Sequence, residues 1–308
     1  IGVSLYPEHG RSYEVLHQNA DIAMYRVKNG SKGAAAFFDA SMEREALART
    51  KVEQSLRLAI LVAVLLFVAL GAWLDRARSR DWNDTLRVTV YPISDSADPG
   101  VRAYTAALQA EDFADVESFF IDEASGYGIT LERPVRIRVS HAARELPPVL
   151  PDRSGPLTIA LWSLRLRPFA ARTAWNDSLP APDIQVFALF SRLGPGSAAM
   201  PDSVGLSKGL IALTHLYGDA AAAGSNQVVL VHEVLHTLGA TDKYDFATGQ
   251  PLAPQGLGEQ DRQPLYPQDF GEIMAGRIAT SARDAVVADS LEQMLVGPVT
   301  ALEIGWPP

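Results

Sequence analysis

Apolar and polar residues alternate in short runs along most of the chain, with one exception. Residues 58–74 read LAILVAVLLFVALGAWL without a charge. At seventeen residues this run reaches the short end of the roughly 17–25 that let a helix cross a bilayer. Trp73 stands at its edge, where an interfacial aromatic belongs, and Arg57, Arg76, Arg78 and Arg80 bracket it. The pattern predicts one transmembrane helix over 58–74 and a linker helix over 51–57. Lys and Arg are nearly balanced on its two sides and do not orient it.

Ahead of the run, the pattern predicts a short strand at Ile1–Tyr6, a helix over Tyr13–Lys28 and a second short strand near Ala35–Phe38. Behind it, LRVTVYPI alternates with strand period and predicts a strand at Leu86–Ile93. Pro99-Gly100 opens a helical stretch to about Tyr127, with Val116, Phe119 and Phe120 on one side. Strands are predicted at Val135–Ser140, Leu157–Leu164, Ile184–Phe190 and Leu210–Leu216. Trp162–Trp175 reads as an edge strand running into an irregular loop. GSNQVVLVHEVLHTLG is a helix, with Ser225 or Asn226 as N-cap and Gly239 as its stop. The remainder holds one helical stretch near Ser281–Leu295. One strand, a helix, four more strands and a final helix make an α+β domain over 82–308, a twisted sheet with backing helices.

Composition narrows the chemistry. A net charge of −9 over 308 residues gives no basic footprint for nucleic acid. Cysteine is absent, which excludes disulfides, a thiol nucleophile and any Cys-ligated metal. The chain opens on Ile1 and not on methionine, as an internal stretch of a longer product would.

The remaining chemistry gathers in His232-Glu233-Val234-Leu235-His236. Histidines at i and i+4 lie on one helix face, so both imidazoles can reach one metal. A glutamate beside the first can take a proton from water activated by that metal. Zinc suits nitrogen and oxygen donors with one position left open. Val228, Leu230, Val231, Leu235 and Leu238 make the helix apolar on almost every side, so these polar groups would be costly to bury without a partner. Gly239 can turn the chain back through a left-handed conformation and return Asp242 as third ligand. Glu259 or Glu272, further along, are the alternative third ligands.

HEVLHTLGATD, over His232–Asp242, resembles the long zinc signature of the metzincin metallopeptidases, in the form HExxHxxGxxD of its snapalysin-like members. The resemblance implies Zn²⁺ held by His232, His236 and Asp242, with Glu233 as catalytic base and a peptide or protein as substrate. It also implies a methionine turn below the metal, for which Met274 in GEIMAG is the candidate, and a tyrosine close by, either Tyr244 or Tyr266. In that clan an edge strand pairs with extended substrate, here Leu210–Leu216.

IGVSLYPEHG, NADIAMYRVKNGSKG and AAFFDASM resemble the carboxy-terminal end of a GGDEF (diguanylate cyclase) domain over roughly residues 1–50. The family's Gly-Gly-Asp/Glu-Glu-Phe turn is not in this sequence, so Lys28, whose counterpart approaches nucleotide phosphates, reads as a solvated helix-end charge. No cyclic dinucleotide synthesis is expected from this chain alone. The resemblance places residues 1–57 in the cytoplasm and residues 75–308 in the periplasm of a bacterial inner-membrane protein. The alternative function is a c-di-GMP-related signalling protein whose outer domain is a sensor or inactive zinc module.

Overall fold

The computed structural model describes residues 1–29, 34–149, 156–192, 203–206 and 209–307, which divide into two compact units, 1–71 and 72–308. The first unit pairs β1 (Gly2–Val3) in parallel with β2 (Ala36–Phe37), joined across α1 (Tyr13–Asn29). Ser4 Oγ donates to the Leu16 carbonyl and Asn19 Nδ2 to the His9 carbonyl, tying the turn to the helix. Lys28 is exposed in the last turn of α1, as expected of a solvated helix-end charge.

Residues 51–57 and 58–74 both fall in one helix, α2 (Ala40–Arg78). Leu58, Leu61, Leu65 and Phe67 are exposed on it. Among the described residues no helix is long and apolar enough to cross a membrane. The side chains of 68, 69 and 72–77, Trp73 and Arg76 among them, lie outside the described residues.

The second unit is a mixed α/β fold in which parallel pairing predominates. Its first strand, β3 (Leu86–Ser94), leads into α3 (Pro99–Ala107), a short 3-10 turn at Ala110–Phe113, and α4 (Ala114–Gly126). Then come β4 (Val135–Val139), α5 (Pro156–Trp175), β5 (Ile184–Ser191), β6 (Val204–Leu206), β7 (Ile211–Tyr217) and α6 (Ala223–Leu238). The five strands order as β4-β3-β5-β7-β6, parallel except for the edge pair β6–β7. Val88 and Val90 on β3, with Val186 and Ala188 on β5, join a core shared with α4 and α6. Tyr91, Phe187 and Leu213 join the other core, with Trp162, Leu166 and Ala170 of α5.

That second core corrects the sequence reading most sharply. Residues 157–164 are helix and not strand, and so is the Trp162–Trp175 stretch read as an edge strand and loop. Trp162, Leu166 and Ala170 recur every fourth residue and are all buried, which is helical spacing. Helices therefore cover both sheet faces, so the layout is α/β, not α+β with strands in succession. The stretch from Pro99 to Tyr127 is likewise broken, at Leu108, into two helices.

The end of the chain builds a second sheet, ordered β10-β9-β8-β11 and made of β8 (Gly271–Glu272), β9 (Arg277–Ala279), β10 (Ala285–Val287) and β11 (Met294–Leu295). The helix expected over Ser281–Leu295 is replaced by β10, a 3-10 turn at Leu291–Gln293 and β11. Ser281 and Asp284 form a side-chain-closed turn there, which starts a strand instead of a helix. Last is α7 (Pro298–Glu303), followed by Trp306, whose ring packs 5.5 Å from that of Trp82.

Candidate metal centre

Helix α6 begins without a side-chain cap at Ala222, so neither Ser225 nor Asn226 is its N-cap. Asn226 instead faces the end of β7, where it accepts from the Tyr217 N–H and donates to the Tyr217 carbonyl. The helix is thereby fixed against the strand that precedes it. It stops at Gly239, whose φ of 106° is the left-handed conformation expected of that residue.

The reversal brings Asp242 back to the two histidines. His232 Nε2 and His236 Nε2 stand 3.0 Å apart, and Asp242 Oδ1 lies 3.2 Å from the first and 3.1 Å from the second. The other ring nitrogens are occupied. His232 Nδ1 donates to the Ile273 carbonyl at 3.0 Å and His236 Nδ1 to the Ala240 carbonyl at 2.8 Å. A carbonyl can only accept, so each Nδ1 carries a proton, and each Nε2 faces the other ring and a carboxylate. Three such atoms at this spacing are reconciled by a proton or by a metal cation among them. Tetrahedral zinc with bonds of roughly 2.0–2.1 Å would separate its ligands by about 3.3 Å, close to this triangle. The donor set fits zinc.

Electrostatics favour positive charge at this triangle. Burial works against protonating His232, but hydrogen bonding to Asp242 and the charge of Glu233 outweigh it and raise its pKa. Burial also works against ionising Asp242, yet its hydrogen bonds with both imidazoles hold it well below the usual carboxylate range. Glu233 is pushed up, chiefly by burial. Its carboxylate lies within 4.8 Å of the imidazole nitrogens, and its buried Oε2 has no hydrogen-bond partner.

The residues following the helix take roles that spacing reveals only in part. Met274 is fully buried in a turn whose Ile273 carbonyl orients His232. Glu272 shapes that turn: Oε2 accepts from the Met274 and Ala275 N–H groups and Oε1 from Thr300 Oγ1 and the Gly297 N–H. Glu259 accepts from the Asp269 N–H and from Arg262. Both alternative third ligands are engaged elsewhere. The Tyr244 ring lies 6.5 Å from that of His232, whereas no ring contact joins Tyr266 to either histidine among the described residues. Lys243 and Glu303, which hold the Asp242 loop, carried no signal in spacing, being sixty residues apart.

A cavity of about 390 Å³ opens beside His232 and Glu233, walled by Val228, Val229, Val287 and Ala288 with His215 and Asn226. The strand expected at the sheet edge is not there: β7 is paired on both sides, and the edge is β6. Gly205 of β6 lies so close to α6 that a Cβ would stand 2.5 Å from the Glu233 carbonyl oxygen. A larger hollow of about 1060 Å³, at the amino-terminal ends of β3 and β5, holds the Arg87–Asp183 ion pair and none of the four metal-site residues.

No protein-family model matches the chain. It is 42% identical over 57 residues to an uncharacterized signaling protein of Caulobacter vibrioides, a match covering 18% of this chain and 7% of that one. It is 35% identical over 60 residues to the biofilm architecture maintenance protein MbaA of Vibrio cholerae, covering 20% of this chain and 8% of MbaA. The chain thus shares a partial similarity with a signaling protein and a biofilm architecture maintenance protein, and it spans less than a tenth of each.

Proposed function

We propose that residues 82–308 form a zinc-dependent peptidase domain. The carrying observation is the triangle of His232 Nε2, His236 Nε2 and Asp242 Oδ1, with both Nδ1 atoms already hydrogen-bonded to carbonyls. Zinc bound there would supply Lewis acidity towards a scissile carbonyl and towards water. His232, His236 and Asp242 would hold it, and the Ile273 and Ala240 carbonyls fix the imidazole orientations. Glu233, raised by burial and without a partner at Oε2, accepts the proton of the attacking water and returns it to the leaving amine. The cavity beside it receives part of a peptide or protein substrate.

The test is zinc stoichiometry of the purified chain together with hydrolysis of an unfolded protein substrate. Glu233→Ala is expected to keep the metal and lose hydrolysis. A wild-type chain that takes up no zinc would end this reading.

The second reading is a c-di-GMP-related signalling protein whose carboxy-terminal domain is a sensor or inactive zinc module. It is supported by the similarity to a signaling protein over 57 residues, a stretch about as long as residues 1–57. Zinc binding without hydrolysis in the wild type would favour it. In either reading residues 58–74 anchor the chain in a bacterial inner membrane, with 1–57 cytoplasmic and 75–308 periplasmic. The support is the charge-free run and the exposed leucines of α2. A reporter fused after Pro308 that is active only in the cytoplasm would reverse that topology.

A further inference from the structure

Two of the three donors sit on a helix, but Asp242 sits on a loop between Gly239 and the bridge at Tyr244. A loop carboxylate needs outside support to keep one position. Both of its chain neighbours are tied to one group on α7. The Thr241 N–H donates to Glu303 Oε2 at 2.9 Å and Thr241 Oγ1 to Glu303 Oε1 at 2.7 Å. On the other side, Lys243 Nζ donates to Glu303 Oε2 at 2.8 Å. The same ammonium donates to the Thr241 carbonyl at 2.8 Å and to Thr241 Oγ1 at 2.7 Å, closing a ring of bonds around Asp242.

The Lys243 side chain is only 4% exposed. A lysine is rarely buried unless it is paired, and this one spends all three donors on the loop and its anchor. The Lys243 N–H also donates to the Met274 carbonyl, so the loop is joined to the turn that orients His232. Burial works against ionising Glu303, but its bonds with Lys243 and Thr241 outweigh it and keep the carboxylate charged.

We infer that Glu303 and Lys243 are positioning residues for the third metal ligand: the ion pair between α7 and the loop holds Asp242 Oδ1 at the two imidazoles. This rests on the zinc reading above. Partners that orient metal ligands are typically worth about 10–100-fold in metal affinity. Because the pair acts through Asp242, its effect must vanish when Asp242 is absent.

The test measures cobalt(II) affinity and the visible ligand-field spectrum of the full chain, as a double-mutant cycle. Glu303→Gln is expected to raise the cobalt Kd by about 10–100-fold and to alter the spectrum of the bound ion. In an Asp242→Ala background, where the two imidazoles retain only weak cobalt binding that is titrated at high metal concentration, the same change is expected to leave that Kd as it is. Lys243→Met should follow the same pattern. Glu303→Asp keeps the charge and should lose less, and it keeps the test open if the glutamine variant does not fold. Unchanged affinity in Glu303→Gln, or an equal loss with and without Asp242, would overturn the inference. No cobalt binding by the unmodified chain, with its fold intact, would bring down the zinc reading itself and this inference with it.

Discussion

Asp242 Oδ1 lies 3.1 Å from His236 Nε2, six residues back across a left-handed glycine. The distance is a hydrogen bond if one partner carries a proton and a ligand–ligand edge if a metal sits between them. His236 Nδ1 is already hydrogen-bonded to the Ala240 carbonyl, so a proton at Nε2 would make the ring an imidazolium. The neutral ring suits a metal.

Asp242→Ala should therefore lose zinc nearly as completely as His236→Ala. Asp242→His should retain it, since imidazole nitrogen is an equally good zinc donor. Asp245 is the control. Its Oδ1 accepts from the Ala247 and Thr248 N–H groups and from Thr248 Oγ1, so it closes a turn. Asp245→Ala should keep full occupancy. Native mass spectrometry of stripped and reloaded protein reads all four, and full zinc in Asp242→Ala would remove this ligand set.

Glu272→Gln should weaken the turn beneath the site. The carboxylate is fully buried and both of its oxygens accept hydrogen bonds. An amide sets a donor against donors on one side, at a cost of about 1–3 kcal/mol. Because Ile273 orients His232, zinc affinity should fall together with the thermal midpoint. Calorimetry with metal titration would show it; an unchanged midpoint would mean the carboxylate does not hold the turn.

Acid sensitivity should come in part from Asp183. Burial works against its ionisation, but Arg87 donates from Nε and Nη2, each at 2.9 Å, and from its backbone N–H, and together they depress the pKa. A carboxylate with a depressed folded pKa stabilises above its unfolded pKa of about 3.9, and that contribution is lost as pH falls through the folded value. Both side chains are partly exposed, so the pair is worth at most about 1 kcal/mol. Asp183→Asn should lower the melting temperature near neutral pH, with the gap to wild type closing as the pH falls below about 3.9. A gap independent of pH would show that the charge is not the cause.

What was legible in the sequence is what local spacing determines. The i, i+4 histidines, the glycine stop and Asp242 all lie within eleven residues, His232–Asp242, and the turn between them obeys backbone sterics alone. Strand β3 was legible because apolar and polar residues alternate over Leu86–Val90. Helix α5 was not: in a short apolar stretch containing TIALWSLRLR, period two and period four both fit. Only packing on Tyr91 and Phe187 selects the helix. The anchors of the Asp242 loop were invisible for a different reason. Glu303 meets Thr241 across sixty-two residues of chain, and nothing local marks it.

The edge strand β6 offers the last prediction. Gly205 faces α6, where a Cβ would stand 2.5 Å from both the Glu233 carbonyl oxygen and His236 Cβ, and 3.2 Å from Glu233 Oε2. Gly205→Ala therefore forces one of two elements to move. Helix α6 is buried along most of its length, in the core it shares with α4 and the sheet. Strand β6 is three residues long and paired only with β7 among the described strands. The strand should yield, since it gives up less packing. Overpacking of this kind costs about 1–3 kcal/mol when the surroundings give way. Zinc should stay, because all three proposed ligands lie outside β6, while hydrolysis should fall as the wall beside Glu233 is displaced. Zinc stoichiometry, a thermal melt and kcat/KM on one preparation separate the cases. If Gly205→Ala released the metal, α6 would be the element that moved, and the rigid-helix picture of this site would have to be given up.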